Sequence, residues 1–208
     1  MLKKGSFVLI AIGLLLIGVC FGKAWLFHQK VHHVVQETKQ QFALKNSEKH
    51  PVSNQKQMIK ARESIPVYQK GDVIGILDIP EADIEFPIYQ GISDKELSAG
   101  AGHYVNTDLP GGNDQIVIPA HNTTEFARIG KLKEGDLVQI KTEYGDFQYQ
   151  VNAVKIVEEE KVNIIHGTAP NEVLVLFTCY PFTALWHSDQ RYVVFAEKVN
   201  QVFYQVHL

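Results

Sequence analysis

The stretch from Gly71 to Lys198 predicts an all-β domain, a closed or nearly closed barrel. Three observations carry that expectation. Short β-rich runs recur along the stretch, turn residues bound each run, and the helix-like segments between them are few and short. The expected strands are residues 73–79, 84–89, 115–120, 137–142, 147–157, 173–179 and 191–198. They are separated by Pro80, Gly91, Pro110-Gly111-Gly112, Gly135-Asp136, Gly145-Asp146 and Pro170-Asn171. Alternating runs on either side of Tyr144-Gly145-Asp146 predict a hairpin. Closure follows because a sheet of many short strands otherwise exposes unpaired edges.

Two short helices are expected between the strands, at residues 93–97 and 124–132. Ser93 is placed as an N-cap, and Glu96 completes a capping box with it.

The N-terminus reads differently. Lys3 and Lys4 precede a charge-free run from Gly5 to Gly22, and Trp25, Leu26 and Phe27 extend it past Lys23. A spanning helix needs about 20 mostly apolar residues. No small-x-small cleavage pattern follows the run, so residues 1–27 are expected to be an uncleaved transmembrane anchor. Residues 28–69 turn polar, with Val31, Val34, Val35, Phe42 and Leu44 as sparse apolar points. They are expected to form a partly helical stalk, a tether that as helix reaches about 60 Å. The folded β domain is then expected over residues 70–208.

Composition narrows the function. The chain is 45% hydrophobic and 21% charged with a net charge of -3, which gives no basic face for nucleic acid. Its cysteines are Cys20, inside the apolar run, and Cys179, near the end of the chain. With Cys20 in a bilayer, the folded domain owns a single thiol and forms no internal disulfide.

Cys179 closes the β-run Leu174-Val175-Leu176-Phe177-Thr178, and Pro181 stops ladder pairing just beyond it. A thiol at a strand end beside a loop is within reach of substrate. Arg191 opens the next strand, so the two residues are expected at the same rim of the barrel. His121 also follows a strand, Ile116-Val117-Ile118-Pro119-Ala120.

These residue types fit acyl transfer. A thiol attacks an amide carbonyl as thiolate and needs a base or a positive neighbourhood. A histidine supplies the proton the departing amine requires. A guanidinium offers fixed donors to the tetrahedral oxyanion.

At this point the sequence resembles the sortases, over most of the chain from about Gly71 to Lys198. The order of His121, then Thr178-Cys179, then Arg191 is the family's, as is the run from Gly102-His103-Tyr104 through Pro110-Gly111-Gly112. The stretch Thr178-Cys179-Tyr180-Pro181-Phe182 looks most like class D. The resemblance implies an eight-stranded barrel that cleaves an LPxTx-like signal, LPNTA-like for class D, after its threonine. It implies a thioacyl enzyme resolved by an amine of the cell-wall precursor, with no cofactor. It further implies Cys179 as nucleophile, His121 as acid/base and Arg191 beside the oxyanion. Partners would be secreted proteins with a C-terminal sorting signal, and the barrel would be extracytoplasmic on a single-pass anchor.

Two departures stand out. The family commonly has glycine before its histidine and a Gly-His-Arg-Asp-Thr-like stretch, whereas this chain has Pro119-Ala120-His121-Asn122-Thr123-Thr124. Ala120 tolerates positive φ poorly, which predicts a slightly different backbone there. Asn122 lacks an arginine's charge, which bears on the pairing of loops. No lid-like insertion of the pilin-polymerising class is visible ahead of the barrel.

Other residues complete the expected site. Thr178, Asn122, Tyr180 and His187 are candidates for substrate binding, the last in the loop between Cys179 and Arg191. His103 is read as structural or at the substrate edge. The acidic run Glu158-Glu159-Glu160 is read as a solvated turn, and no metal site is expected. The rival readings are a hydrolytic cysteine peptidase and a non-catalytic tethered barrel that binds a wall component. Papain-like and cell-wall peptidases place cysteine before histidine, so the order here argues against the first.

Overall fold

The computed structural model describes residues 2–48, 65–161, 164–183 and 188–199. Helix α1 (Leu2–Glu48) is followed by β1 (Val73–Ile79), β2 (Ile84–Gln90), the short helix α2 (Asp94–Leu97) and β3 (Ala101–His103). Then come β4 (Gln115–Pro119), β5 (Leu137–Thr142), β6 (Gly145–Glu158), β7 (Val173–Tyr180) and β8 (Gln190–Lys198). All strands join one eight-stranded sheet in the order β3-β2-β1-β5-β6-β8-β7-β4. Its two edges approach each other: the Tyr104 N–H donates to the Val117 carbonyl at 3.0 Å, and Asp108 N–H to Gln115 O at 2.8 Å. The sheet is a nearly closed barrel, as the recurrence of short strands predicts.

Strand periodicity explains the interior. Alternate residues point inward, so Ile116, Ile118 and Ala120 meet Leu174 and Leu176 of β7 and Val194 and Ala196 of β8 in one core. Burying each large aliphatic side chain contributes about 1.5–3 kcal/mol before entropy is counted. The intervening residues Val117, Val175 and Val193 face outward and are covered by Ile164, with Tyr104 and Phe177 packed alongside.

The expected strands are all present, and β3 is an addition. It has three residues and includes Gly102, too little apolar pattern to read from sequence. His103 ends it and is 1% exposed. Its Nδ1 lies 2.7 Å from Gln90 Oε1 and its Nε2 2.8 Å from the Asp108 carbonyl, which makes it structural. Burial holds its pKa below the usual imidazole value, partly opposed by the Asp108 carbonyl.

Ser93 caps α2 with the expected capping box to Glu96. The expected helix at 124–132 is instead a series of turns ending in a 3-10 turn, Ile129–Lys131. Phe182 packs where a side chain on residue 130 would project: a Cβ on Gly130 would lie 2.6 Å from Phe182 Cε2. The β5–β6 hairpin turns at Glu143-Tyr144, one residue earlier than its glycine suggests, because Thr142 pairs with Gly145.

At the far end of the barrel, Glu172 is a buried anchor. It accepts hydrogen bonds from Gly111 N–H at 3.0 Å, Tyr149 OH at 2.7 Å and Lys198 Nζ at 2.7 Å. Gly111 has φ +91, a backbone conformation that side chains rarely adopt.

Helix α1 runs without a break across the expected anchor–stalk boundary. Its apolar part is long and hydrophobic enough to cross a membrane by length and composition, with mean hydropathy 2.2. Leu14, Leu15, Phe21 and Trp25 are exposed there. Over residues 28–48 the helical stretch expected to be a tether packs on the barrel. Val31, Val35 and Phe42 fall on one face of the helix and are buried. Val31 and Val35 pack with Ile76, and Phe27 and Phe86 border them. Lys39 pairs with Glu85 and Lys45 with Glu143 on either side of this seam. The helix is therefore docked on β1 and β2.

Candidate active site

Three adjacent strands, β4, β7 and β8, build the site. Strand β7 lies in the middle, pairing parallel with β4 and antiparallel with β8. Cys179 is the direct register partner of Arg191. On the other side, the last β4–β7 pair is Pro119 with Phe177, and Ala120 N–H still donates to Phe177 O at 3.3 Å. Counting on along the parallel register brings His121 level with Cys179.

Parity fixes the face. Ala120, Leu176 and Val194 point into the barrel, and Val117, Val175 and Val193 point out. Odd-numbered Cys179 and Arg191 therefore share the outward face, and His121 follows the neighbouring strand two residues past its end. His121 is exposed, and Cys179 and Arg191 are half-buried. Cys179 carries a free thiol.

Arg191 is held on several sides. Its Nη1 donates to the Ser188 carbonyl at 2.6 Å and to the Gln190 carbonyl at 3.0 Å, and Nη2 donates to Glu159 Oε1. A guanidinium has further N–H groups, so Nε and one Nη2 hydrogen remain beyond these contacts. Glu159 comes from the 3-10 turn after β6, and the acidic run expected to be a solvated turn thus supplies the arginine's partner. Among the described residues, no group of His, Cys, Asp or Glu is arranged to hold a metal ion.

The other expected residues take separate places. Thr178 points inward, 2% exposed, and its hydroxyl donates to the Ala120 carbonyl at 2.7 Å. It braces the strand end that carries His121 and does not face the groove. Asn122 is buried, and its Nδ2 donates to the Pro181 carbonyl at 3.2 Å, linking the loops after β4 and β7. Loop pairing thus survives the loss of arginine at that position. Ala120 does not adopt positive φ, so no glycine is required before His121.

Tyr180 packs edge-on against Phe182 at 5.4 Å and stacks on Tyr192 at 6.1 Å. It also lines a cavity of about 670 Å³ beside Arg191, together with Glu158, Glu159, Glu160 and Asp189. His187 lies outside the described residues.

The sequence reading missed Glu125. This residue is 1% exposed and sits in the loop that begins at His121. Burial raises its pKa, opposed first by the hydrogen bond from Thr124 and then by its own backbone and the charge and backbone of His121. A carboxylate within a segment otherwise read as helix, close after the histidine, was the available signal.

Known proteins carry the same architecture. A model of the Sortase domain matches residues 77–199. The chain belongs to the sortase family. A curated relative, Sortase D of Bacillus subtilis (strain 168), is 33% identical over 192 residues, covering 92% of this chain and 96% of its own. That relative agrees with the class D likeness of the cysteine segment. Among solved structures, a Clostridium perfringens Sortase D5 transpeptidase superposes with a TM-score of 0.61 at 24% identity, covering 82% of this chain and 96% of its own. A Clostridium perfringens sortase C, solved with the C-terminal cell wall sorting motif, gives a TM-score of 0.63 at 27% identity, covering 80% and 100%. The enzyme is thus a sortase-type cysteine transpeptidase.

Proposed function

We propose that Cys179, His121 and Arg191 form the catalytic centre of this sortase. The reading is supported by the register pairing of Cys179 with Arg191 across β7–β8 and by His121 following β4, the parallel neighbour of β7, two residues past its last pair. The thiolate of Cys179 attacks the carbonyl carbon of the scissile amide, and the electron pair moves onto oxygen. The N–H groups of Arg191 not engaged by Glu159 and the loop carbonyls receive that oxyanion. The tetrahedral intermediate collapses, the C–N bond breaks, and His121 gives its proton to the departing amine. An acceptor amine then attacks the thioester, His121 takes its proton, and the Cys179 thiolate leaves.

The substrate class follows from the family. The sortase C relative was solved with the C-terminal cell wall sorting motif. For this chain the proposed substrates are secreted proteins with an LPxTx-like signal, LPNTA-like by class, cut after threonine. The proposed acceptor is an amine of the peptidoglycan precursor, and no cofactor enters the scheme. Tyr180 at the cavity wall and Asn122 between the loops are the substrate-side candidates. Thr178 acts through the strand that carries His121. Residues 1–27 are the proposed membrane anchor, residues 28–69 its connection, and residues 70–208 the catalytic barrel on the extracytoplasmic side. Support for the anchor is the exposed apolar length of α1.

The test is a peptide assay with the full chain in detergent micelles. A fluorogenic LPNTA-type peptide is incubated with and without an amine acceptor, and products are separated by mass. The expected result is cleavage after threonine plus an aminolysis product that grows with acceptor concentration. Cleavage with no aminolysis product above the hydrolysis background overturns the transferase reading.

A further inference from the structure

The connection between β6 and β7 crosses the face of the sheet that carries Cys179. At its start, Glu159 grips Arg191, and Glu159 N–H donates to the Asp189 carbonyl at 2.7 Å. Further on, Ile164 is buried over Val117, Val175 and Val193 on the outward face of β4, β7 and β8. Val193 pairs with Phe177, the outward pair next to Cys179 and Arg191, about 7 Å along the strands. Ile165, beside it, leaves an apolar side chain 38% exposed.

Residues 164–169 belong to no strand, so their backbone needs other partners. The start of β4 supplies them. Gln115 is 3% exposed and uses both ends of its amide on the connection. Its Nε2 donates to the Ile164 carbonyl at 2.6 Å, and its Oε1 accepts from His166 N–H at 2.9 Å. Asp114 Oδ1 accepts from Thr168 N–H at 2.5 Å, Ala169 N–H at 3.0 Å and Gln115 N–H at 2.8 Å. The bond from Thr168, and then the others, hold this carboxyl below the usual carboxylate range. Two adjacent side chains thus grip one stretch of backbone. None of residues 164–169 belongs to the barrel's interior core. Releasing the grip therefore shifts the outer stretch and leaves the interior packed.

We infer that Asp114 and Gln115 are positioning residues for substrate binding: they hold residues 164–169 against the outward face, where the stretch walls the approach to Cys179 along β7. This rests on the reading of Cys179 as the nucleophile. An extended peptide advances about 3.3 Å per residue. With its scissile carbonyl at Cys179, residues two places away reach the row of Phe177 and Val193, beside Ile164. Neither Asp114 nor Gln115 touches the reacting atoms, and each acts through the backbone it holds.

The test uses the full chain in micelles and the LPNTA-type peptide. Gln115→Leu keeps the volume and removes both contacts, Asp114→Ala removes the carboxylate, and Asp114→Asn keeps one accepting oxygen. The expected result is a KM raised about tenfold in Q115L and D114A with kcat nearly unchanged, the signature of binding lost equally from ground and transition states. D114N falls between D114A and the parent. Alkylation of Cys179 by iodoacetamide, too small to need the wall, keeps the parent rate. A merely structural role lowers the melting temperature and leaves KM as it was, and that result overturns the inference, as does a fall in kcat at unchanged KM. Hydrogen exchange of Cys179→Ala with and without saturating peptide needs neither variant. Bound peptide should slow exchange across residues 164–169, and no change there overturns the inference even where Q115L and D114A fail to fold. Cys179→Ala also separates the two claims. Turnover retained in C179A overturns the nucleophile reading, whereas an inactive C179A beside parent-like KM values in Q115L and D114A overturns the positioning role alone.

Discussion

Arg191 faces Cys179 directly across the β7–β8 pair while Glu159 grips its guanidinium from the end of β6. The arginine therefore stands beside Cys179 in the sheet, with its guanidinium fixed by a carboxylate and the Ser188 and Gln190 carbonyls. Its planar fork makes these contacts and keeps two further N–H donors, whereas an ammonium has only three in all.

Replacing that fork is expected to be costly. Arg191→Ala should lower kcat/KM by a hundredfold or more, about 3 kcal/mol of transition-state stabilisation. Arg191→Lys keeps the charge but loses the simultaneous contacts, and should recover only a small part of the activity. Steady-state kinetics with the sorting-signal peptide check both, and an Arg191→Lys enzyme as fast as the parent contradicts the proposed role.

Thr178→Val tests the brace behind His121. The change keeps volume, removes the hydroxyl and leaves the buried Ala120 carbonyl without its donor, a cost of about 1–3 kcal/mol. The melting temperature should drop by about 2–4 °C per kcal/mol. Loss of kcat should exceed any change in KM, because the strand end that aims His121 is loosened. A rise in KM at constant kcat would instead place Thr178 in substrate binding.

Glu172 is the test of the barrel's far end. Removing it as Glu172→Ala leaves Lys198 Nζ, Tyr149 OH and the Gly111 N–H without their acceptor. Breaking a buried pair on one side costs about 3–5 kcal/mol. Thermal unfolding should show a large drop, with kcat at low temperature little affected.

His103 gives stability a pH dependence of known sign. Its folded pKa lies below the unfolded value of 6.5 because burial disfavours the charged ring. Its contribution is fully present above that value. As pH falls through it, the unfolded chain takes up a proton that the folded chain refuses, and stability is lost until the folded pKa is reached. Denaturant titrations over this range should therefore show a shallower acid-side decline for His103→Gln than for the parent.

Much of this arrangement was legible in the sequence. The β-runs and their turn residues marked every long strand, and the strand-end positions of His121, Cys179 and Arg191 placed them at one rim. What was hidden is non-local or too short. Strand β3 has three residues and no alternation to read. The docking of α1 depends on Val31, Val35 and Phe42, whose stripe is plain on a helix but whose partner surface lies on β1 and β2. The inward turn of Thr178 follows from sheet parity, which requires knowing which face is the core. The expected helix at 124–132 is a series of turns, and Phe182, more than fifty positions away, packs against Gly130 there. The partnership of Arg191 with Glu159 rests on loop geometry that residue spacing does not fix.

The most direct test of the central claim is to trap the covalent intermediate. The full chain is mixed with a sorting-signal peptide without an acceptor amine, quenched in acid, digested and analysed by mass spectrometry. The account predicts an adduct on Cys179 whose mass equals the peptide up to and including threonine. The adduct should vanish when amine is added before the quench and be absent from Cys179→Ala. A substrate that is processed with no adduct on Cys179, or a Cys179→Ala protein that still forms product, contradicts the account.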